Sequence, residues 1–235
     1  VQVKDQSVQR EVVPWTTQDV WLGVGAFGVW LLTAFALALL MRSLSWRIDI
    51  GVFITLWELA LVVPAWWLTV RKYNVSWSAL GLRGFGGRTL GIGCGLMLLS
   101  FGFNLVYSSL LSLFGLQAQI DWVALFGEVS SPVPLLFGGV LVAPLVEEIF
   151  FRGFVFAGLR KRYGWKPAGL ISAGLFAVVH LQPLAVVPIL ILGMIFAYLY
   201  HRSESIWPAV VMHVLTNGIG LGAAYLITQL DAPVG

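Results

Sequence analysis

The chain has 235 residues, of which 59% are apolar and only 11% charged. Soluble domains carry about 25% charged residues, so this composition excludes a chain with a large water-facing surface and points to a lipid solvent. The net charge of +3 and a pI near 9.2 do not indicate nucleic acid, because the basic residues sit in short clusters between apolar runs, where they act as topology signals.

A bilayer span needs about 20 mostly apolar residues. Val1–Asp19 is polar, of mixed charge, and is not expected to be a signal peptide. Seven spans are predicted, over 20–41, 50–70, 89–114, 133–159, 167–181, 184–200 and 206–227. The expected fold is all-α, a polytopic transmembrane helical bundle. Its expected organisation is a polar segment (1–19), N-terminal membrane spans with loops (20–131) and a C-terminal core (132–235). The fifth and sixth spans are short and separated only by Gln182 and Pro183. Pro167 and Pro208 fit the first turns of their helices, where no amide donor is lost. Trp21, Trp46, Trp77, Trp122, Trp165 and Trp207 fall near span ends, as an aromatic belt requires.

Alternating the sides from the N-terminus puts Lys4, Arg10, Arg71, Lys72, Arg83, Arg88, Arg160, Lys161, Arg162, Lys166 and Arg202 on one side. Only Arg42 and Arg47 fall on the other. Lys and Arg accumulate on the cytoplasmic side, so a cytoplasmic N-terminus in the plasma membrane is expected, with the site opening toward the cytoplasm.

Charged groups inside spans are costly and line cavities or pair with one another. The fourth span carries Glu147, Glu148 and Arg152; the fifth ends in Phe176 and His180; the seventh carries His213 and Asn217. Four-residue spacing places each pair on one helix face. At about 1.5 Å per residue, Glu147, His180 and Asn217 all lie roughly 18–21 Å from the basic edges of their helices, and His213 about 12 Å. Glu148 and Arg152 stand at i, i+4 with the acid first, the favourable order for an ion pair. Glu147 points about 100° away. Two carboxylates so placed should take different roles, one held as the paired anion and one serving as a general base. Pro144 should kink this helix and free a carbonyl near Val140. Glu58 is costly inside the second span and would either gate a cavity or take a structural partner. Cys94 is expected to pack, Asn104 to hydrogen-bond between helices, and His201 to lie at the interface.

Glu147-Glu148-x-x-x-Arg152, Phe176-x-x-x-His180 and His213-x-x-x-Asn217, in this order on separate spans, resemble the CPBP group (CAAX proteases and bacteriocin-processing enzymes, also called the Abi family). The resemblance covers about 132–227; a softer one covers the loop Tyr73–Arg83, with Trp77 and Leu80-Gly-Leu-Arg83. It implies an intramembrane endopeptidase. Glu147, assisted by His180, would activate water, His213 and Asn217 would donate to the oxyanion, and Glu148 and Arg152 would support them. In the family, eukaryotic members act on prenylated C-termini, whereas a bacterial member would process a leader peptide or membrane protein, or confer immunity. The implied partners are a peptide or membrane-protein substrate and the lipid bilayer, with no nucleic acid.

Two alternatives stay open. No cofactor is expected, yet Glu147, His180 and His213 form a two-His, one-carboxylate set of the kind that holds zinc. The same polar cluster would also suit a non-catalytic protein: an immunity factor, an accessory subunit of a larger membrane complex, or a transporter-like path. Other intramembrane protease classes lack their motifs: there is no His-Glu-x-x-His and no Gly-x-Ser-x-Gly, and Asp5, Asp19, Asp49, Asp121 and Asp231 lie in tails, loops or span edges.

Overall fold

A computed structural model describes residues 13–46, 49–118, 122–129 and 131–230. Lys4, Asp5, Arg10, Arg47, Asp121 and Asp231, and most of the predicted polar segment, lie outside the described residues. The described chain is a helical bundle. Six of its helices, Thr17–Ser43, Ile50–Arg71, Arg88–Ser112, Pro132–Tyr163, Pro183–Ser203 and Trp207–Leu230, are long and apolar enough to cross a membrane. The predicted fifth span is shorter than the rest, a helix over Trp165–Val179 of 15 residues, or about 22 Å at 1.5 Å per residue.

Helix α1 (Thr17–Ser43) starts in a capping box. The Thr16 hydroxyl accepts from the Asp19 amide, and the Asp19 carboxylate accepts from the Thr16 amide at 2.9 Å, so two orphan donors are satisfied together. Asp19 also takes Lys72 Nζ at 2.5 Å and Tyr73 Oη at 2.6 Å. Its hydrogen bonds hold both the Lys72 ammonium and the Tyr73 phenol above their ordinary pKa values.

The second span is broken. Helix α2 (Ile50–Leu59) stops at Ala60, and α3 (Val62–Trp66) resumes and widens into a π turn over Trp67–Arg71. Pro64 has no amide to give the Ala60 carbonyl; the Val63 amide takes that carbonyl instead, at 3.0 Å. Helix α4 (Arg88–Ser112) follows, then the short α5 (Trp122–Glu128).

The fourth span is broken twice. It runs α6 (Pro132–Phe137), a π turn over Gly138–Val142, α7 (Ala143–Glu147), a longer π segment over Glu148–Phe156, and α8 (Ala157–Tyr163). In the first π turn the Ala143 amide reaches the Gly138 carbonyl. The next bond of that pattern would run from residue 144 to the Gly139 carbonyl, and Pro144 has no N–H to make it. The freed carbonyl is therefore that of Gly139, one residue before the position expected from an unbroken α-helix. Helices α9 (Trp165–Val179), α10 (Val186–Ser203) and α11 (Trp207–Leu230) complete the bundle.

Contacts between helix ends define two ends of the bundle. At one end Trp15 donates to the Phe154 carbonyl, Arg160 pairs with Glu204, Ser205 bonds the Arg83 carbonyl, and Trp165 stacks on His201. This end gathers Lys72, Arg83, Arg160 and their basic neighbours. At the other, Thr55 bonds the Pro134 carbonyl and Tyr107 the Leu184 carbonyl. The core is centred on the fourth span, where Phe150, Phe151, Phe154 and Phe156 are buried. Gly153 permits this: a Cβ there would collide with the Leu80 carbonyl oxygen. That contact seats the Trp77–Leu80 turn directly on the helix bearing the glutamates. Two expectations fail. Cys94 is exposed on α4 rather than packed. Asn104 Oδ1 is buried with no hydrogen-bond partner among the described residues, so it does not tie helices together through that atom.

Candidate active site

Glu147 closes α7, and Glu148 opens the π segment that follows. The wide turn keeps both carboxylates inside the bundle, and both side chains are buried. The expected ion pair forms: Arg152 Nη1 donates to Glu148 Oε1 at 2.8 Å, with both side chains fully enclosed. Arg152 Nη2 donates to the Gly193 carbonyl at 3.2 Å. The guanidinium lies over Phe176 and Phe196, at 4.4 and 5.1 Å from the ring centroids, where the ring faces attract a cation. A Cβ at Gly193 would sit 2.9 Å from Ala173 and 3.2 Å from Arg152 Nη2, so glycine sets how closely α10 approaches.

His213, from α11, spans the two acids. Its Nδ1 lies 3.1 Å from Glu148 Oε1, and its Nε2 lies 3.5 Å from Glu147 Oε2. A carboxylate only accepts, so the close contact assigns the proton to Nδ1 and orients the ring. His180 caps the C-terminus of α9 and its Nδ1 is 2.6 Å from the Phe176 carbonyl. A carbonyl also only accepts, so Nδ1 carries the proton, and Nε2 of the neutral ring keeps its lone pair.

Glu147 and His180 line one cavity of about 140 Å³, together with Glu58, Trp57, Leu61, Phe27, Leu31, Phe151 and Val179. A carboxylate and an imidazole base lining one small cavity suit activation of water held between them. The cavity walls come from the first two spans as well as the C-terminal core. A larger apolar groove of about 470 Å³, between α1 and α2–α3, shares Phe27 and Leu61 with it.

Asn217 sits one turn beyond His213, and its Nδ2 donates to the Gly139 carbonyl at 2.8 Å. That is the carbonyl Pro144 leaves without a helical donor. The sequence pointed to the freed carbonyl and to the asparagine separately; the structure joins them. Replacing Asn217 by alanine removes the donor, so we expect a loss of about 1–3 kcal/mol, read as a lower thermal midpoint in detergent. An unchanged midpoint would show that the bond contributes nothing.

Glu147 and His180 thus share a cavity, His213 stands behind Glu147, and Asn217 is set on the π turn. As placed, both imidazole nitrogens of His213 face carboxylates. Among the described residues no group of three His, Cys, Asp or Glu side chains is arranged to hold a metal ion. Glu58 has a larger place than its sequence signal suggested. The signal was a lone acid in an apolar span, six residues before a proline.

Buried glutamates, histidines and an ion-paired arginine thus form a polar cluster within the apolar helices of an integral membrane protein. Residues 129–219 match the family described as "Type II CAAX prenyl endopeptidase Rce1-like", so this C-terminal region is similar to that family. Among curated proteins, the chain is 31% identical over 105 residues to "Putative membrane peptidase YdiL" of Bacillus subtilis (strain 168), covering 44% of this chain and 43% of that protein. It is 32% identical over 88 residues to "UPF0177 protein YxdF" of Lactococcus lactis subsp. lactis (strain IL1403), covering 37% and 48%. The chain thus spans less than half the length of each of these relatives. No solved structure matches it at a significant level.

Proposed function

We propose that the protein is an intramembrane endopeptidase that hydrolyses a peptide bond with water activated by Glu147 and His180. The observation that carries this reading is the single cavity that both side chains line. Doubly protonated, His213 would hold Glu147 through Nε2–H and, with the second Nδ2–H of Asn217, supply donors near the developing oxyanion, the usual means of stabilising such a charge. Glu148 and Arg152 would position the site. No step is routed through a metal. The substrate would be a peptide or membrane protein whose apolar part approaches along the groove between α1 and α2–α3.

A fluorogenic peptide library, offered to the protein in liposomes with and without chelator, tests this. Cleavage that persists with chelator and vanishes in Glu147→Gln supports the reading. Loss of cleavage with chelator would favour the zinc alternative. No cleavage by the wild type would favour a non-catalytic role in a membrane complex.

The cytoplasmic orientation rests on the cations gathered at one end of the bundle. In a Cys94→Ser background, Ser112→Cys should react with an impermeant maleimide in intact cells, and Ser76→Cys only after permeabilisation. The reverse pattern would invert the topology.

A further inference from the structure

Outside the family-matched region, the second span brings a further carboxylate to the cavity. Glu58 closes the last turn of α2, just before the break that Pro64 imposes. Its side chain faces the same cavity as Glu147 and His180. Its Oε2 is shielded and meets no hydrogen-bond partner among the described residues; nor does the Trp57 Nε1 on the same wall. An acid with no structural partner, aimed into a reaction cavity, is unusual because a buried polar atom left unpaired costs about 1–3 kcal/mol.

The groups facing Glu58 are few. Across the cavity stand Glu147 and His180; α1 contributes only Phe27 and Leu31. Behind Glu147 lie His213 and the Glu148–Arg152 pair. Like charges sharing one small cavity repel, so the two carboxylates are best held with a proton between them. The imidazole and guanidinium both lie on the side of Glu147, and nothing polar compensates Glu58 Oε2. We infer that Glu58 is a catalytic residue of the proposed reaction, the acid that protonates the leaving amine. The inference rests on the peptidase reading above.

The step balances. The water oxygen bonds to the scissile carbonyl carbon while one water proton passes to Glu147. As the C–N bond breaks, the nitrogen takes the proton of Glu58 and leaves as an amine, and Glu58 becomes a carboxylate. The proton on Glu147 then crosses the cavity to Glu58, and both acids are reset.

The test uses a peptide cleaved by the wild-type protein in liposomes, and an aryl ester with the same acyl sequence. The phenolate of that ester leaves without a proton. Glu58→Gln should lower kcat on the peptide about a hundred-fold, leave KM within about twofold, and turn over the ester near the wild-type rate. Glu58→Asp should restore part of the peptide activity, while Glu147→Gln should fail on both substrates. Wild-type peptide turnover by Glu58→Gln, or equal loss on peptide and ester, overturns the assignment. Infrared spectroscopy of the purified protein gives a reading independent of turnover. A protonated-carboxyl band lost in Glu58→Gln supports the donor, and its absence from the wild type overturns it. Should the wild type cleave neither substrate, the peptidase reading falls and this inference with it.

Discussion

Glu147→Gln should lower peptide hydrolysis by about a thousand-fold or more, in keeping with loss of a general base, while the protein stays folded. The substitution keeps the size of the side chain and removes only its charge and basicity. Glu147 contributes little to the polar network: His213 Nε2 lies 3.5 Å from its Oε2, too long for a strong bond. The ion pair that supports the core belongs to its neighbour. Activity and stability should therefore separate at this position, the first lost and the second kept. Single-turnover cleavage in liposomes and thermal unfolding in detergent measure the two. A Gln variant that cleaves normally would remove Glu147 from the mechanism.

Arg152→Met should produce the opposite pattern, a large loss of stability. Glu148 is fully enclosed, with the permanent charge of Arg152 and the His213 Nδ1 both at its Oε1, and its Oε2 already lacks a partner among the described residues. Removing one member of such a pair strands the other charge, at a cost of about 3–5 kcal/mol. Adding Glu148→Gln should recover most of that loss, since the stranded charge is gone and the amide oxygen still accepts from His213 Nδ1. Methionine fills the apolar space between Phe176 and Phe196. Thermal midpoints of the single and double variants decide the matter. Equal midpoints would mean that charge balance is not what Arg152 provides.

The elements legible from sequence were those carried by local rules. Apolar runs of span length placed the membrane helices within a few residues, and the i, i+4 order of Glu148 and Arg152 foretold their ion pair. The four-residue spacing of His213 and Asn217 put both on one face, though their partners were not visible. Those partners depend on two departures from regular helix geometry. The π turn over Gly138–Val142 moves the orphan carbonyl from Val140 to Gly139, and no spacing rule reveals a π turn. The break after Glu58 depends on Pro64, whose presence was plain but whose effect on cavity shape was not. Cys94 and Asn104 were misjudged for a related reason. Each sits in an apolar run without periodic contrast, so the sequence does not say which face meets lipid.

The ion pair within the fourth span also bears on how the chain enters its membrane. Translation delivers this helix before α10 and α11 exist, so neither the Gly193 carbonyl nor His213 is there to receive it. Each charged residue at a helix centre opposes insertion by roughly 2.5–3.5 kcal/mol. Because Glu148 and Arg152 neutralise each other within a single helix, that segment can leave the translocation channel with much of its penalty already cancelled. Glu147 has no such companion, and its burial awaits α11.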